Sequence, residues 1–126
     1  MEDVQEHVLC AANWYPKLEF PNQIEGLDAI YWLPQNINKG IVFSGRHHLQ
    51  CMYQAYQLTG KKQCELIEYQ GFLTSHNRWV TRKEAGEIAF LAGQVDKPTD
   101  YLFSEHLYYP YPKHKTRSIP KKEDRY

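Results

Sequence analysis

The spacing of hydrophobic positions changes several times along this chain, and each change predicts a different element. Residues 7–15, HVLCAANWY, are mostly apolar and indicate a strand that is either central in a sheet or buried on both faces. Residues 26–33 and 40–46 are the next strand candidates, and the turn-rich segment PQNINKG separates them. The first part of the chain therefore predicts three strands.

Two later segments have helical spacing. Between His47 and Leu58, apolar side chains fall three and four residues apart, and Gly60 follows as a stop signal. The second segment opens with a capping box, in which the Thr81 hydroxyl accepts from the amide of Glu84 and the Glu84 carboxylate accepts from the amide of Thr81. An apolar stripe follows the box, so we expect a helix over 82–92 that a glycine ends.

The remaining segments are less regular. Residues 64–73 are compatible with another strand, and residues 100–109 fit either a last strand or a short helix. The prediction is one α+β domain over residues 1–112, with the sheet first and the helices mostly later. A Pro- and Lys-rich tail, residues 113–126, follows it.

Composition and cysteine content agree with a small cytoplasmic domain. At 126 residues the chain is long enough for one modest core, and ten of its aromatic residues are Tyr, which suits interfaces and ligand pockets. The N-terminus is acidic and no apolar run of signal-peptide or membrane-span length follows it. With three cysteines and no C-x-x-C pair, we expect a reducing cytoplasm.

Charge is distributed unevenly although the formal total is zero. Residues 113–126 carry six Lys or Arg side chains against two acidic ones, a net charge of +4, so the preceding residues carry −4. A basic tail on an acidic body either contacts an anionic partner or is a solvated terminus, and the sequence leaves both readings open.

Metal binding has only weak support in the sequence. His47, His48, Cys51 and Cys64 are close along the chain, but no second C-x-x-C or H-x-x-x-H pair completes a zinc motif. A core cysteine and a surface histidine pair explain the same residues, and we expect no metal and no cofactor.

Catalytic motifs are equally weak. Ser44 does not lie in a nucleophile elbow, and no Walker or dinucleotide-binding loop is present. A Cys–His pair such as Cys51 with His76 stays open, since such partners meet in space rather than in sequence. We therefore do not expect an enzyme.

Binding of a nucleotide-like anion has better support. The segment GFLTSHNRWVTRKEA offers Phe72 or Trp79 to stack a base, Arg78 and Arg82 for phosphates, and Asn77 for a hydroxyl. Arg82 falls in the first turn of the predicted helix, where free backbone amides favour an anion. The alternative is that the two aromatic residues belong to the core and the cations to a solvated face, and composition alone favours this alternative.

Three motifs, read together, resemble a known family. GRHH (45–48), QGFLTSHNRWVTRKEAGEIAFLAGQV (70–95) and LFSEHLY (102–108) are similar, in order and spacing, to the first type of Thoeris anti-defence proteins, which are small and phage-encoded. The resemblance spans roughly residues 7–108. His106 replaces the usual acidic residue of the last motif, and the basic tail has no counterpart.

The resemblance implies a non-catalytic sponge that holds a nucleotide immune signal. Members sequester glycocyclic ADP-ribose, the signal of the Thoeris TIR enzyme, and some also hold cyclic trinucleotides from cGAS-like enzymes at separate sites. They form dimers and in several cases hexamers, with an N-terminal antiparallel β-sheet and C-terminal helices, two or three of which we expect here. Blocked Thoeris signalling in the host bacterial cytoplasm would be the result, with neither a membrane nor DNA or RNA as partner.

The resemblance also assigns ligand contacts. It implies a recessed pocket at the dimer, with the ligand stacked on Phe72 and clamped by Arg46, Arg82 and a tail cation such as Arg117. A pocket between subunits also suits a small chain with little spare interior. Two alternatives remain open: a protein–protein inhibitor or adaptor that uses the Tyr-rich surface and basic tail, and a small enzyme that degrades the nucleotide.

Overall fold

The computed structural model describes residues 4–108. The predicted tail, residues 113–126, and its cation Arg117 lie outside the described residues, as does the predicted boundary at residue 112. Within the described part of the chain, no helix is long and apolar enough to cross a membrane.

A four-stranded antiparallel sheet forms the centre of the fold. Its strands are β1 (Val8–Tyr15), β2 (Ile41–Gly45), β3 (Tyr69–Thr74) and β4 (Trp79–Thr81), in the order β2-β1-β3-β4. The apolar first strand is central because it pairs with a neighbour on each side, as a run buried on both faces predicts. Strand predictions over 7–15 and 40–46 are confirmed.

Two α-helices pack against one face of the sheet. They are α1 (His48–Thr59) and α2 (Arg82–Leu91), and they agree with the predicted helices to within one residue at each end. Along the chain α1 lies between β2 and β3, whereas α2 follows the last strand. The predicted α+β class with an antiparallel sheet and a single domain is confirmed.

The caps explain why the helix ends were predictable. The Thr81 hydroxyl accepts from the amide of Glu84 at 3.2 Å, and the amide of Thr81 donates to the Glu84 carboxylate at 3.2 Å. Gly60 and Gly93 follow the helices with φ of 70° and 75°, a conformation that glycine adopts without steric cost.

Two strand predictions need correction. Residues 26–33 contain a 3₁₀ turn, Ala29–Tyr31, which Asp28 caps by accepting from the amide of Ile30 at 3.0 Å. Residues 21–31 are all exposed, so this segment has no sheet partner to outweigh its local preference for a turn. In the second case β3 begins only at Tyr69, after another 3₁₀ turn, Gln63–Glu65. Of the two options for 100–109, the short helix is the observed one, a 3₁₀ turn over Ser104–Leu107.

The core lies between the sheet and the two helices. Ala11, Phe72 and Val80 are cross-strand neighbours in β1, β3 and β4, and all are fully buried. Cys51 of α1 and the alanines of α2 pack onto them. Trp14, the cross-strand partner of Tyr69, lies on the opposite face of the sheet. That second face carries aromatic rings that the helices do not cover.

Candidate functional site

The predicted stacking residue Phe72 lies in the core. Its exposed fraction is 0%, and the His48 ring packs edge-on against it with the ring centroids 5.0 Å apart. Position 72 alternates onto the helix-covered face of β3, which is the physical reason for its burial. No face of the ring is open to a base in this conformation, so the assignment of Phe72 as the stacking platform is not supported.

Arg78 and Asn77 have structural partners in the β3–β4 hairpin. The Arg78 guanidinium donates twice to the Glu6 carboxylate, from Nε and Nη2, both at 2.9 Å, and ties the N-terminal segment to the hairpin. The hydrogen bonds from Arg78 lower the pKa of Glu6 to about 2, against the opposing effect of burial. Asn77 adopts φ 57° at the turn, and its side-chain amide donates to the carbonyl of Ile30 at 3.4 Å. These contacts explain both residues without a ligand.

Arg46, another predicted ligand contact, is the first residue after β2. Its guanidinium carbon is 4.3 Å from the centroid of the Tyr108 ring, which is a cation–π distance. The side chain is exposed. The phosphate role of Arg46 stays a prediction.

Arg82 has the geometry of a built site. The capping box makes it the first residue of α2, and its guanidinium donates from Nη1 to the carbonyl of Leu102 and from Nη2 to the side-chain oxygen of Gln70, both at 2.7 Å. The Tyr101 ring lies over the guanidinium, with 4.5 Å between its centroid and the guanidinium carbon. The same nitrogen, Nη2, is 3.3 Å from Nδ1 of His48. These contacts hold the guanidinium plane in one place.

The Arg82 charge is partly buried, and within residues 4–108 it has no acidic partner at ion-pair distance. Burial lowers its pKa, and Tyr101 and Glu105 oppose that shift, but an arginine remains charged throughout the physiological range. No carboxylate of residues 4–108 lies within 4 Å of the guanidinium, since the ion pairs at that distance among these residues involve Glu6. A partly desolvated cation with neutral partners is available to an anion at little cost in lost contacts.

His48 is neutral in this arrangement. Its Nε2 is 2.8 Å from the carbonyl of Gly71 and therefore carries the proton, which leaves Nδ1 to accept from Arg82. Burial lowers the pKa of His48, and the nearby Arg82 charge acts in the same direction. The imidazole thus orients the guanidinium and adds no second charge.

Arg82 lines an open groove of about 610 Å³ where β3, β4 and α2 meet. Its wall combines three aromatic rings, two cations, two carboxylates, two amides and a hydroxyl: Tyr69, Trp79, Tyr101, Arg82, Lys83, Glu68, Asp100, Gln63, Gln70 and Thr81. Because β4 spans only three residues, the β3 positions 69 and 70 extend past its end. The groove follows from this difference in strand length.

Trp79 is one of the three aromatic residues that line this groove. Its Nε1 donates to the carbonyl of Ala12 at 3.0 Å, and the Trp14 ring lies 5.6 Å away, so the indole is held in place. Gly71 makes room for it, since a Cβ at that position would lie 2.8 Å from two indole carbons. Of the two stacking candidates in the sequence, the structure favours Trp79 over Phe72.

Sequence reasoning missed several groove residues. Tyr69, Lys83 and Tyr101 were not candidates because they lie in β3, in α2 and in the loop after α2, and only the fold brings them together. The groove carboxylate of Glu68 accepts from the Tyr15 hydroxyl at 2.8 Å and from the side-chain amide of Gln70 at 2.7 Å. The alternation of side chains along β3 and the short length of β4 are the features that indicate which residues line the groove.

The metal and nucleophile candidates do not converge. Among the described residues, no three His, Cys, Asp or Glu side chains are placed to hold a metal ion. Burial raises the pKa of the Cys51 thiol to about 12, and its sulfur faces the carbonyls of Ala11 and His47. His76 instead contacts the carbonyl of Val4 with Nε2 at 2.8 Å. The Cys51–His76 pair is therefore not formed in this structure.

The comparison with known families identifies a phage protein. Residues 7–108 match the family described as phage T4 y16D protein, and because this match covers most of the chain, the chain belongs to that family. No curated protein and no solved structure matches it. The family says nothing about a Thoeris signal, which remains a hypothesis from the resemblance.

Proposed function

We propose that this phage protein sequesters a nucleotide immune signal of the glycocyclic ADP-ribose class without degrading it. The observation that carries the proposal is the partly buried Arg82 charge, which has neutral partners among the described residues and lines a groove with aromatic walls. In the infected cell such binding would remove the signal from the host cytoplasm and block Thoeris defence.

Each part of such a ligand has a chemical counterpart in the groove. Arg82 and Lys83 suit the phosphates, and the first turn of α2 adds its backbone amides. Trp79 and Tyr101 offer ring faces to a base, and stacking is worth about 1–3 kcal/mol per base. The Asp100 carboxylate suits a ribose hydroxyl.

The size of the groove and the need for tight binding support a shared site. Its volume of about 610 Å³ lies within the roughly 300–1,000 Å³ of ligand pockets. A sponge for a scarce signal needs a nanomolar dissociation constant, on the order of −12 kcal/mol, which an open groove does not supply alone. We therefore propose that a second chain closes the groove in a homodimer, with a hexamer built from such dimers as the larger assembly.

A separate pair is the candidate for a second ligand. Arg46 stacked on Tyr108 supplies a cation and a ring away from the groove residues. If the chain also holds cyclic trinucleotides at a separate site, as the resemblance implies, we propose this pair as part of that site. We propose neither DNA nor RNA as a ligand.

One experiment separates the three functional classes. The protein is incubated with glycocyclic ADP-ribose, freed of unbound ligand, denatured by heat and analysed by chromatography. A sponge returns the intact signal. Recovery of a product would identify an enzyme, and recovery of no nucleotide would favour the protein–protein inhibitor or adaptor.

Variants at the groove test the site itself. Tyr101 is 52% exposed, so Tyr101→Ala should keep the fold and weaken ligand binding by roughly 5- to 150-fold, the equivalent of 1–3 kcal/mol of stacking. Tyr31→Ala, at a Tyr that is 77% exposed and not part of the groove lining, is the matched control and should bind normally. Equal affinity of the two variants in calorimetry would refute the groove as the site.

The arginines allow a second matched pair. Arg82→Gln removes the proposed phosphate contact, whereas Arg78→Gln removes the same charge from the hairpin ion pair. We expect binding to fall at least tenfold in the first variant and by less than threefold in the second. Thermal melts of both variants show whether lost binding reflects lost fold, because Arg82 also holds Leu102 and Gln70.

A further inference from the structure

A chain of hydrogen bonds connects a buried tyrosine to the guanidinium of Arg82. The Tyr15 hydroxyl donates to Oε2 of Glu68 at 2.8 Å, and the side-chain amide of Gln70 donates to Oε1 of the same carboxylate at 2.7 Å. The oxygen of that amide accepts from Nη2 of Arg82 at 2.7 Å. One amide therefore lies between a carboxylate and a guanidinium.

The two charged groups decide how the Gln70 amide is oriented. A carboxylate only accepts hydrogen bonds, and a guanidinium only donates them. The flipped amide would place two acceptors together at Glu68 and two donors together at Arg82. In the observed orientation both groups are satisfied, and the amide nitrogen also contacts Sδ of Met52 at 3.7 Å. Glu68 therefore favours the orientation that offers an acceptor to Arg82.

The Glu68 carboxylate is anchored by side chains rather than by the sheet. Glu68 precedes β3, whose pairing with β1 begins at Tyr69. The anchor is Tyr15, which is 1% exposed at the end of β1. Burial raises the pKa of Tyr15, so its hydroxyl stays protonated and donates to Glu68. Gln63 adds a longer hydrogen bond to the same carboxylate, at 3.2 Å.

We propose that Glu68 is a positioning residue for the nucleotide: through Gln70 it holds the Arg82 guanidinium in the orientation that receives a phosphate. The Leu102 carbonyl accepts from Nη1 of Arg82 and the Gln70 oxygen accepts from Nη2, so both terminal nitrogens are fixed. An arginine has more N–H donors than these contacts use, so donors remain for a phosphate. A guanidinium that is fixed beforehand loses less side-chain entropy when the ligand binds.

The sign of the effect of Glu68 separates this role from plain electrostatics. Glu68 lines the same groove as Arg82, and its negative charge repels an anionic ligand. On charge alone, removal of the carboxylate should tighten nucleotide binding. If Glu68 positions Arg82, the same removal should weaken binding, because the Gln70 amide and the guanidinium then lose their fixed orientation.

Two variants of Glu68 divide its charge from its hydrogen bond. Glu68→Ala and Glu68→Gln both remove the charge, but only Glu68→Ala removes the acceptor for Gln70. In calorimetry with glycocyclic ADP-ribose, Glu68→Ala should raise the dissociation constant about tenfold, and Glu68→Gln should recover most of the affinity. Glu87→Ala, at an exposed acidic residue of α2 that is not part of the groove lining, is the control and should bind normally. Tighter binding by Glu68→Ala, or equal affinities of the two Glu68 variants, would overturn the role.

A double-mutant cycle tests whether Glu68 acts through Gln70. Gln70→Leu removes the bridging amide, so Glu68→Ala should have little further effect on affinity in that background. Thermal melts of the single and double variants show that each is folded. Fully additive losses of affinity would mean that Glu68 acts by another route, and would overturn the proposed connection.

A measurement without nucleotide separates this role from the proposed function, on which the affinity measurements rest. In nitrogen-15 spectra the Nη protons of Arg82 should give resolved signals, because hydrogen bonds at both nitrogens hinder rotation, and Arg82→Gln identifies these signals by their loss. They should merge in Glu68→Ala and stay resolved in Glu68→Gln. If the unchanged protein binds no glycocyclic ADP-ribose, the proposed function fails, and the spectra alone decide the positioning. Signals that Glu68→Ala leaves unchanged would overturn it.

Discussion

Replacing Phe72 with alanine separates a core residue from a ligand contact more directly than any other single change. Phe72 is fully buried among Val8, Val80, Leu102 and the other core side chains. Removing a buried Phe side chain costs about 3–5 kcal/mol, because the transfer energy is lost and a cavity remains. Domains of this size have about 5–15 kcal/mol in total, so Phe72→Ala should lose a large fraction of the stability.

Urea unfolding followed by tryptophan fluorescence measures this loss. The chain has three Trp residues as probes, and the transition midpoint should fall strongly in Phe72→Ala. The melting temperature should fall by at least about 12 °C, from roughly 4 °C or more per kcal/mol. Phe90→Ala is the matched control: Phe90 is 41% exposed on α2, so its removal should cost clearly less than that of Phe72, about 1–2 kcal/mol.

The result that would refute this reasoning is specific. If Phe72→Ala is as stable as Phe90→Ala and yet loses nucleotide binding, the Phe72 ring is a ligand contact and its buried position is not the functional one. If Phe72→Ala is unstable while Tyr101→Ala stays folded and binds weakly, the core role of position 72 and the groove are both supported.

Two further predictions concern the hairpin and the helix start. The lowered pKa of Glu6, about 2 against 4.5, means that its pairing with Arg78 stabilises the fold fully above pH 4.5 and that this stabilisation is lost as pH falls toward 2. As pH is lowered from 4.5 to 2, the free energy of unfolding should therefore fall by about 1 kcal/mol less in Glu6→Gln than in the unchanged protein. An equal fall in both proteins would contradict the pairing. Thr81→Ala should lower the free energy of unfolding by about 1 kcal/mol through loss of the cap, whereas Thr81→Ser should retain most of it in the same denaturant titration.

Local chemistry by itself determined the helices. The capping box at Thr81 satisfies the backbone amides at the start of α2, and a glycine after each helix ends its hydrogen-bonding pattern. Both effects involve residues that are close in sequence, so the helix ends can be predicted from the sequence alone. The first strand was equally readable, because a long apolar run has few alternatives to burial. Residues 26–33 show the limit: they are as apolar as a strand, but whether a strand forms depends on a pairing partner elsewhere in the chain.

Tertiary structure alone decided which candidates face solvent and which meet. Phe72 and Trp79 are both aromatic and were equal candidates in the sequence. Because side chains alternate along β3, Phe72 points into the core, and the register between β3 and β4 places Trp79 over Gly71. Arg78 and Arg82 are four residues apart, and only the fold pairs the first with Glu6 and leaves the second without a carboxylate among the described residues. Local sequence determines where the helices begin and end, but strand formation, burial and pairing depend on contacts between residues that are far apart in the chain, and these exist only once the chain has folded.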